Sequence, residues 1–324
     1  YFWEHRKNSD CKLNLFDVPR SNGRCGYKKK VFYPTVRYFW EHRKDLACSL
    51  NFFFKSIGIS KQSFHQHTER YLQERNVEAQ ILILVYRIRE DHPTMGLRDM
   101  YYKLLPDCIG RDKFEELCKS AGLNIERKLN YRRTTDSSGV IRFDNLLTSL
   151  TIVRINQVWQ SDITYYEVSN RCYYLTFILD AYSRVIVGYH VSQSLKTEHT
   201  TFPALRLAVN SRLKLNMNIA GLIFHSDGGG QYYDKNFLSF TAGNKIRNSM
   251  CQYPWENGKA ERINGVIKNN YLQHRNITTF SELIQEVDRS VQLYNQENPH
   301  IMLNRKTPIQ FENSIFAKSD NNPC

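Results

Sequence analysis

The chain has 324 residues, a formal net charge of +13, 41% hydrophobic residues and 13% aromatic residues. That apolar content excludes a mainly disordered chain, the length suits two or three domains, and no apolar run approaches the roughly 18 residues of a membrane span. The basic excess asks for a polyanionic partner, nucleic acid first.

From the N-terminus, YFWEHRK occupies Tyr1–Lys7 and recurs at Tyr38–Lys44. Two copies are too few for a solenoid. Residues 1–45 read as an unassigned extension, a duplicated or mis-joined reading frame or a cropped fusion. Ala47–Tyr71 predicts a short helix, a glycine turn and a second helix capped by Ser60. Val77–Asp91 carries a helical stripe through Ile81, Leu82, Leu84, Val85 and Ile88, and Pro93 stops it. Leu97–Leu105 and Arg111–Ala121 predict two more helices, turned by Gly96 and closed by Gly122. Short helices joined at glycines suggest a helix-turn-helix unit, with a plain helical bundle as the alternative. Its last helix would present Arg111, Lys113 and Lys119. Ile125–Asp144 is basic and turn-rich, and its Arg132 and Arg133 suit a linker that tracks phosphates. The eight cysteines form no CxxC pair, so a reduced, cytosolic chain with scattered thiols is expected.

After Gln157 the texture turns strand-like. WQSDITYYEV, CYYLTFILDAY and RVIVGYHVS are rich in β-branched and aromatic residues and are separated by short gaps, which predicts three consecutive antiparallel strands. A helix over Glu198–Leu213, a strand over Ala220–His225, a helix over Lys235–Gly243 and an extended run over Ile246–Cys251 follow. Asn257–Leu272 and Ser281–Asn295 close the series as helices. Strands first, then alternating helix and strand, point to an α/β core with a mixed sheet.

Three acids stand out: Asp162 within the first core strand, Asp227 just after the fourth, and Glu261 in the first turns of a helix. Three converging carboxylates repel one another unless a cation neutralises them, and hard oxygen ligands suit Mg²⁺ or Mn²⁺. Each acid also has a local explanation. Asp162 fits a satisfied strand residue, Asp227 a turn Asp before glycines, and Glu261 a first-turn Glu favoured by the helix dipole. Asp180 and Glu256 compete for the same roles. His225 and Gln231 flank Asp227 and suit either packing or the positioning of water or DNA. Lys268 lies seven residues after Glu261, two helical turns on and nearly on the same face, where a cation holds DNA or simply faces solvent.

The segments VWQSDITYYEV, LDAYSRVIVGY, FHSDGGGQYY, ENGKAERINGVIKNNYL and YNQENPHIMLNRKTPIQF decide among these. Together they closely resemble the retroviral-integrase-like core of bacterial insertion-sequence transposases, in particular the second reading frame (OrfB type) of the insertion-sequence-three family. HPTMGLRDMYYKL and GRDKFEELCKSAGL resemble that family's helix-turn-helix head, and IGISKQ resembles the start of the frame. The match runs from about Ala47 to Glu312. The interval between Asp227 and Glu261 is slightly shorter than usual in the family, which a loop near Pro254-Trp255 absorbs.

The resemblance implies an α/β, ribonuclease-H-like fold, a mixed five-stranded sheet with helices, behind a small all-α helix-turn-helix head. The expected order is an extension over 1–45, the head over 46–124, a basic linker over 125–153, the core over 154–313 and a tail over 314–324. It implies an Asp-Asp-Glu polynucleotidyl transferase in which Asp162, Asp227 and Glu261 hold two divalent ions, Mg²⁺ with Mn²⁺ as substitute. The reaction would be cleavage at the element's ends, then strand transfer by a 3′-hydroxyl. Lys268 would bind DNA, as would the cations of the head and linker. The implied partners are the terminal inverted repeats, target DNA, further copies of the chain on DNA, and an upstream-frame product as fusion or partner. No membrane is involved, and a bacterial cytoplasm, at the nucleoid, is the expected compartment. Two alternatives remain beside it: a ribonuclease-H-like nuclease without joining activity, and a catalytically incomplete DNA-binding remnant.

Overall fold

The computed structural model describes residues 36–38, 40–42, 49–125 and 143–320. Arg132, Arg133, the first copy of the repeat and most of the expected linker lie outside the described residues. The chain divides into two compact units, residues 1–82 and 83–324. The sequence reading draws its boundary at 124/125 instead, so helices expected in the head share a unit with the core.

In the first unit, α1 (Leu50–Ile57) starts under a Ser49 cap and ends at Gly58, whose φ of 73° is the left-handed stop that glycine adopts without strain. Phe53, Phe54, Phe64 and Val36 are buried together. Ser60 accepts from the Ser63 amide at 3.1 Å, as its capping role predicts. Helix α2 then runs unbroken from Lys61 to Asp91. The sequence reading treats Ser60 onward and Val77–Asp91 separately. No Gly or Pro lies between Lys61 and Asp91, so nothing interrupts the backbone ladder.

The second unit begins with the rest of α2, then α3 (Leu97–Leu104) and α4 (Arg111–Ser120). Arg89 fixes the turn beyond α2 by donating to the carbonyls of Pro93, Met95 and Leu123. These helices are tied to the C-terminal half. His92 meets the Tyr271 hydroxyl at 3.2 Å, Lys103 pairs with Glu297 at 2.7 Å, and Arg305 pairs with Asp99 at 2.6 Å.

The sheet is five-stranded and mixed, in the order β3-β2-β1-β4-β5. Strands β1 (Val158–Val168), β2 (Arg171–Asp180) and β3 (Ile186–Ser192) form an antiparallel meander. Strands β4 (Ile223–Ser226) and β5 (Arg247–Met250) run parallel to β1. This is the sheet that the sequence implies. One face packs on α5 (Thr201–Lys214) and α6 (Lys235–Gly243) through Trp159, Leu205, Phe224 and Phe237. Gly188 permits that approach: a Cβ there would stand 2.4 Å from the Ala204 carbonyl. The other face packs on α7 (Gly258–Gly265) and α8 (Phe280–Glu297) through Leu175, Phe177, Ile263, Ile267 and Tyr294.

Two helical expectations need correction. The uninterrupted helix over Asn257–Leu272 is α7 followed by a π-helical turn at Val266–Tyr271 and a short 3-10 turn. Tyr271 and Leu272, at the end of this turn, are both buried, at 2% and 0% exposure. Residues beyond 313, expected as a tail, belong to α9 (Pro308–Asp320). Its Glu312 accepts from both Arg212 guanidinium nitrogens, at 2.6 and 2.8 Å, in a buried bidentate pair, and from Ser183 at 2.6 Å. Among the described residues no helix is long and apolar enough to cross a membrane.

Candidate active site

The two central parallel strands place the first two acids. Gln160 of β1 lies opposite His225 of β4. Two residues further on, with side chains alternating in period two, come Asp162 and Asp227. Asp162 accepts from the Ile163 amide at 2.9 Å and from Asn264 Nδ2 at 2.8 Å. Asp227 accepts from the Gly229 amide at 3.1 Å, a local turn bond of the kind an Asp before glycines predicts. A Cβ at Gly229 would stand 3.0 Å from Asp227 Oδ1 and 2.9 Å from Gln231 Oε1, so the glycine keeps space open beside the carboxylate.

Helix α7 brings the third acid. Its approach is stitched to β1 by Asn257, which donates to the Ser161 carbonyl at 2.9 Å, and by Gln160, which donates to the Glu256 carbonyl at 3.4 Å. Glu261 sits in the first turn on the exposed side. Asn264, one turn on, is the donor to Asp162.

Electrostatics couples the three. Burial pushes the Asp162 carboxyl up to about 7, and the charges of Asp227 and Glu261 add to the rise against the Ile163 and Asn264 hydrogen bonds. Burial also raises Asp227. Among the described residues no Lys or Arg is hydrogen-bonded or ion-paired to Asp162. Half-buried carboxylates that repel one another without a protein counter-ion suit a hard divalent cation. Among the described residues, however, no three His, Cys, Asp or Glu side chains already stand close enough together to hold an ion.

The competing acids are structural. Asp180 is fully buried and accepts from the amides of Asn156, Tyr182 and Ser183, which closes the β2–β3 turn. Glu256 caps the turn before α7 by accepting from the Gln252 and Tyr253 amides. His225 is buried against Ser249 at 2.9 Å, and burial pushes it down to about 4, so it is neutral and packs the floor under Asp227. The Gln231 carbonyl accepts from Thr201, while its side chain lies beside Gly229.

The expected DNA contacts are scattered. Lys268 falls within the π-helical turn, so α-helical arithmetic from Glu261 does not place it. It reaches Thr164 of β1 at 3.2 Å, two residues beyond Asp162, and stands over the Tyr165 ring at 4.8 Å. Burial lowers its pKa. In the head, Lys113 and Lys119 are exposed on α4, whereas Arg111 is held by Asp112 at 2.8 Å. Neither Asn257 nor Asn264 is among the expected site residues; the spacing of Asn264, three residues after Glu261 on one helix face, is the available signal.

Two integrase core domain models match this chain, over residues 153–253 and 242–308. They cover the sheet, α7 and all three acids. Residues 153–308 thus match integrase core domains, and the chain is similar to transposases of bacterial insertion sequences. The chain is similar to an uncharacterised 31 kDa protein of insertion element IS600 from Shigella sonnei, 29% identical over 266 residues, 78% of this chain and 95% of that protein. It is also similar to the transposase of IS629 from Shigella sonnei, 27% identical over 240 residues, 72% of this chain and 78% of that protein. Among solved structures, the HTLV-2 integrase catalytic core domain in complex with magnesium aligns at a TM-score of 0.36 and 22% identity, covering 48% of this chain and 95% of that one.

Proposed function

We propose that this chain catalyses DNA transposition: metal-dependent cleavage at the ends of an insertion sequence, then strand transfer by the freed 3′-hydroxyl. The observation that carries the assignment to Asp162, Asp227 and Glu261 is their shared field on one carboxyl group. Two central strands and one helix converge there, and among the described residues no Lys or Arg pairs with Asp162. Bound Mg²⁺ or Mn²⁺, two ions in the fullest form of the reading, supplies the Lewis acidity for an in-line displacement at phosphorus. Asp162 and Asp227 hold such ions from the rigid sheet. Glu261, on an exposed helical position, completes the set by rotating its side chain inward.

In the first step a water oxygen attacks a phosphodiester at the element's end. The bond from phosphorus to the 3′-oxygen breaks, and that oxygen leaves as a hydroxyl. In the second step this hydroxyl gives up its proton and attacks a phosphodiester of the target. One phosphorus–oxygen bond forms, another breaks, and the target's 3′-oxygen leaves. Lys268, tethered over β1, holds backbone phosphate beside the carboxylates, and Lys113 and Lys119 extend the contact from the head. The reading also expects several copies on one pair of ends, and an upstream-frame product as fusion or partner.

The test is a strand-cleavage assay on labelled inverted-repeat ends with Mg²⁺ or Mn²⁺, using the wild type, Asp227→Asn and Glu261→Gln. Metal-dependent nicking at the repeat boundary, lost in both variants, supports the assignment. Nicking that survives both variants refutes the triad. Nicked ends that are never joined to a second DNA turn the reading into a nuclease, and binding without nicking turns it into a remnant.

A further inference from the structure

The flank of α7 opposite the acids is built from cations. A cleft of about 1620 Å³ opens there in the second unit, lined by residues of the turn after α2, of α7 and of the segment around His300. Arg184, Lys259 and Arg262 all face it. Arg89 lines it too, but its guanidinium is spent on three carbonyls. Asp99, the one acid among the lining residues, is paired with Arg305 at 2.6 Å. Asp180 lies beneath, with its oxygens taken by backbone amides.

The three cations are brought together at some cost. Lys259 and Arg262 are one turn apart on α7, and Lys259 stands in the first turn, where the helix dipole disfavours positive charge. Arg184 has a φ of 65°, a left-handed conformation that glycine or Asn adopts more easily. Its backbone is fixed by donating to the Asp180 carbonyl at 2.9 Å. Burial and the Arg184 charge hold Lys259 below its usual value, and burial with the charges of Arg184 and Arg262 pushes His300 down to about 4. Lys259 has a weak bond to the Ala181 carbonyl at 3.4 Å. Like charges at a strained turn, with no unpaired carboxylate among the residues lining the cleft, describe a site for an external anion.

We propose that Arg184, Lys259 and Arg262 form a second DNA-backbone site, a phosphodiester track on the flank of α7 away from the carboxylates. This rests on the transposition reading above. One helix then grips DNA on both sides of its axis: the acids at the reacting phosphate, the cations on neighbouring backbone. Contacts of this kind are blind to base identity, so the track adds affinity and orientation without adding sequence preference.

The experiment measures binding of the full chain to fluorescein-labelled duplex DNA by anisotropy across a salt series, with chelator present to prevent cleavage. Wild type is compared with the triple variant Arg184→Asn, Lys259→Gln, Arg262→Gln. A second triple variant, Lys214→Gln, Lys235→Gln, Lys245→Gln, removes equal charge elsewhere. The first triple variant is expected to lower the slope of log affinity against log salt by about 2–3, equally for any sequence, and the second by much less. Equal slopes for wild type and a folded first triple variant overturn the track while leaving the transposition reading intact. A wild type that binds no duplex removes both. Should the triple variant fail to fold, Arg262→Gln alone, at an exposed position, is expected to lower the slope by about 1, and an unchanged slope overturns the proposal.

Discussion

Asp180 and Asp162 occupy neighbouring strands, and burial raises the carboxyl pKa of both. Their surroundings differ in one respect. Asp180 accepts from three backbone amides that belong to its own turn and strand start. Asp162 accepts from one amide and one side-chain amide, and faces two further carboxylates. The first group is closed: its hydrogen bonds compensate its desolvation and leave it nothing to offer. The second is open, and its unmet charge is what a cation would satisfy. A buried acid is therefore judged by what completes its shell, and the two kinds respond to substitution in opposite ways.

The largest expected effect is on chemistry. Asp162→Asn and Asp227→Asn each lower metal-dependent cleavage at least about a thousandfold, a loss of roughly 4 kcal/mol at the transition state. Thermal melting should stay level or rise in the same proteins, because repulsion is relieved. A large drop in melting temperature would put Asp162 in the class of Asp180.

The closed corner should fail in stability. Glu312→Ala leaves the Arg212 guanidinium buried without its bidentate partner, at a cost of roughly 3–5 kcal/mol in denaturant unfolding. Asp180→Asn places an amide donor against backbone donors and costs on the order of 2–3 kcal/mol. Cleavage per folded molecule should survive it. Loss of cleavage in a folded Asp180→Asn protein would erase the distinction between the two acids.

A smaller test probes the hinge of the comparison. Asn264→Ala removes the one side-chain donor that Asp162 has, and should lower cleavage about tenfold, worth about 1.4 kcal/mol, with the fold intact. The smallest effect is on pH dependence. His300 is held at about 4 by burial beside Arg184 and Arg262, below the ordinary value of about 6.5. As pH falls, the unfolded chain takes up this proton before the folded one does. The folded state's advantage is whole above about 6.5 and declines towards about 4. In His300→Gln, melting temperature should fall less steeply across that window.

Much of the core was legible because its signals are local. Alternating β-branched and aromatic residues, with short gaps, give the meander of β1 to β3. Gly58 and Ser60 act on their immediate neighbours. The three acids are singled out only through the motifs around them, since each taken alone has a local explanation, and Asp227 retains one in its bond to Gly229. What escaped depends on distant partners. The π-helical turn at Val266–Tyr271 leaves no mark in the helical periodicity of the sequence. The continuity of α2 was hidden by reading two helical patterns separately. Arg184 is far in sequence from Lys259 and Arg262, and only the packing of the β2–β3 turn against α7 makes them one cluster. Glu312 gives no sign in sequence that its counter-ion is Arg212.

That last pair bears on how the molecule is made. Arg212 lies on α5, against the sheet face that holds Trp159 and Phe224, and is 3% exposed. Until residue 312 has left the ribosome, a nascent chain that closed this face would bury a guanidinium without its counter-charge. Synthesis therefore favours a core that stays loose until α9 arrives, so that five strands and α9 close together in one late, cooperative step.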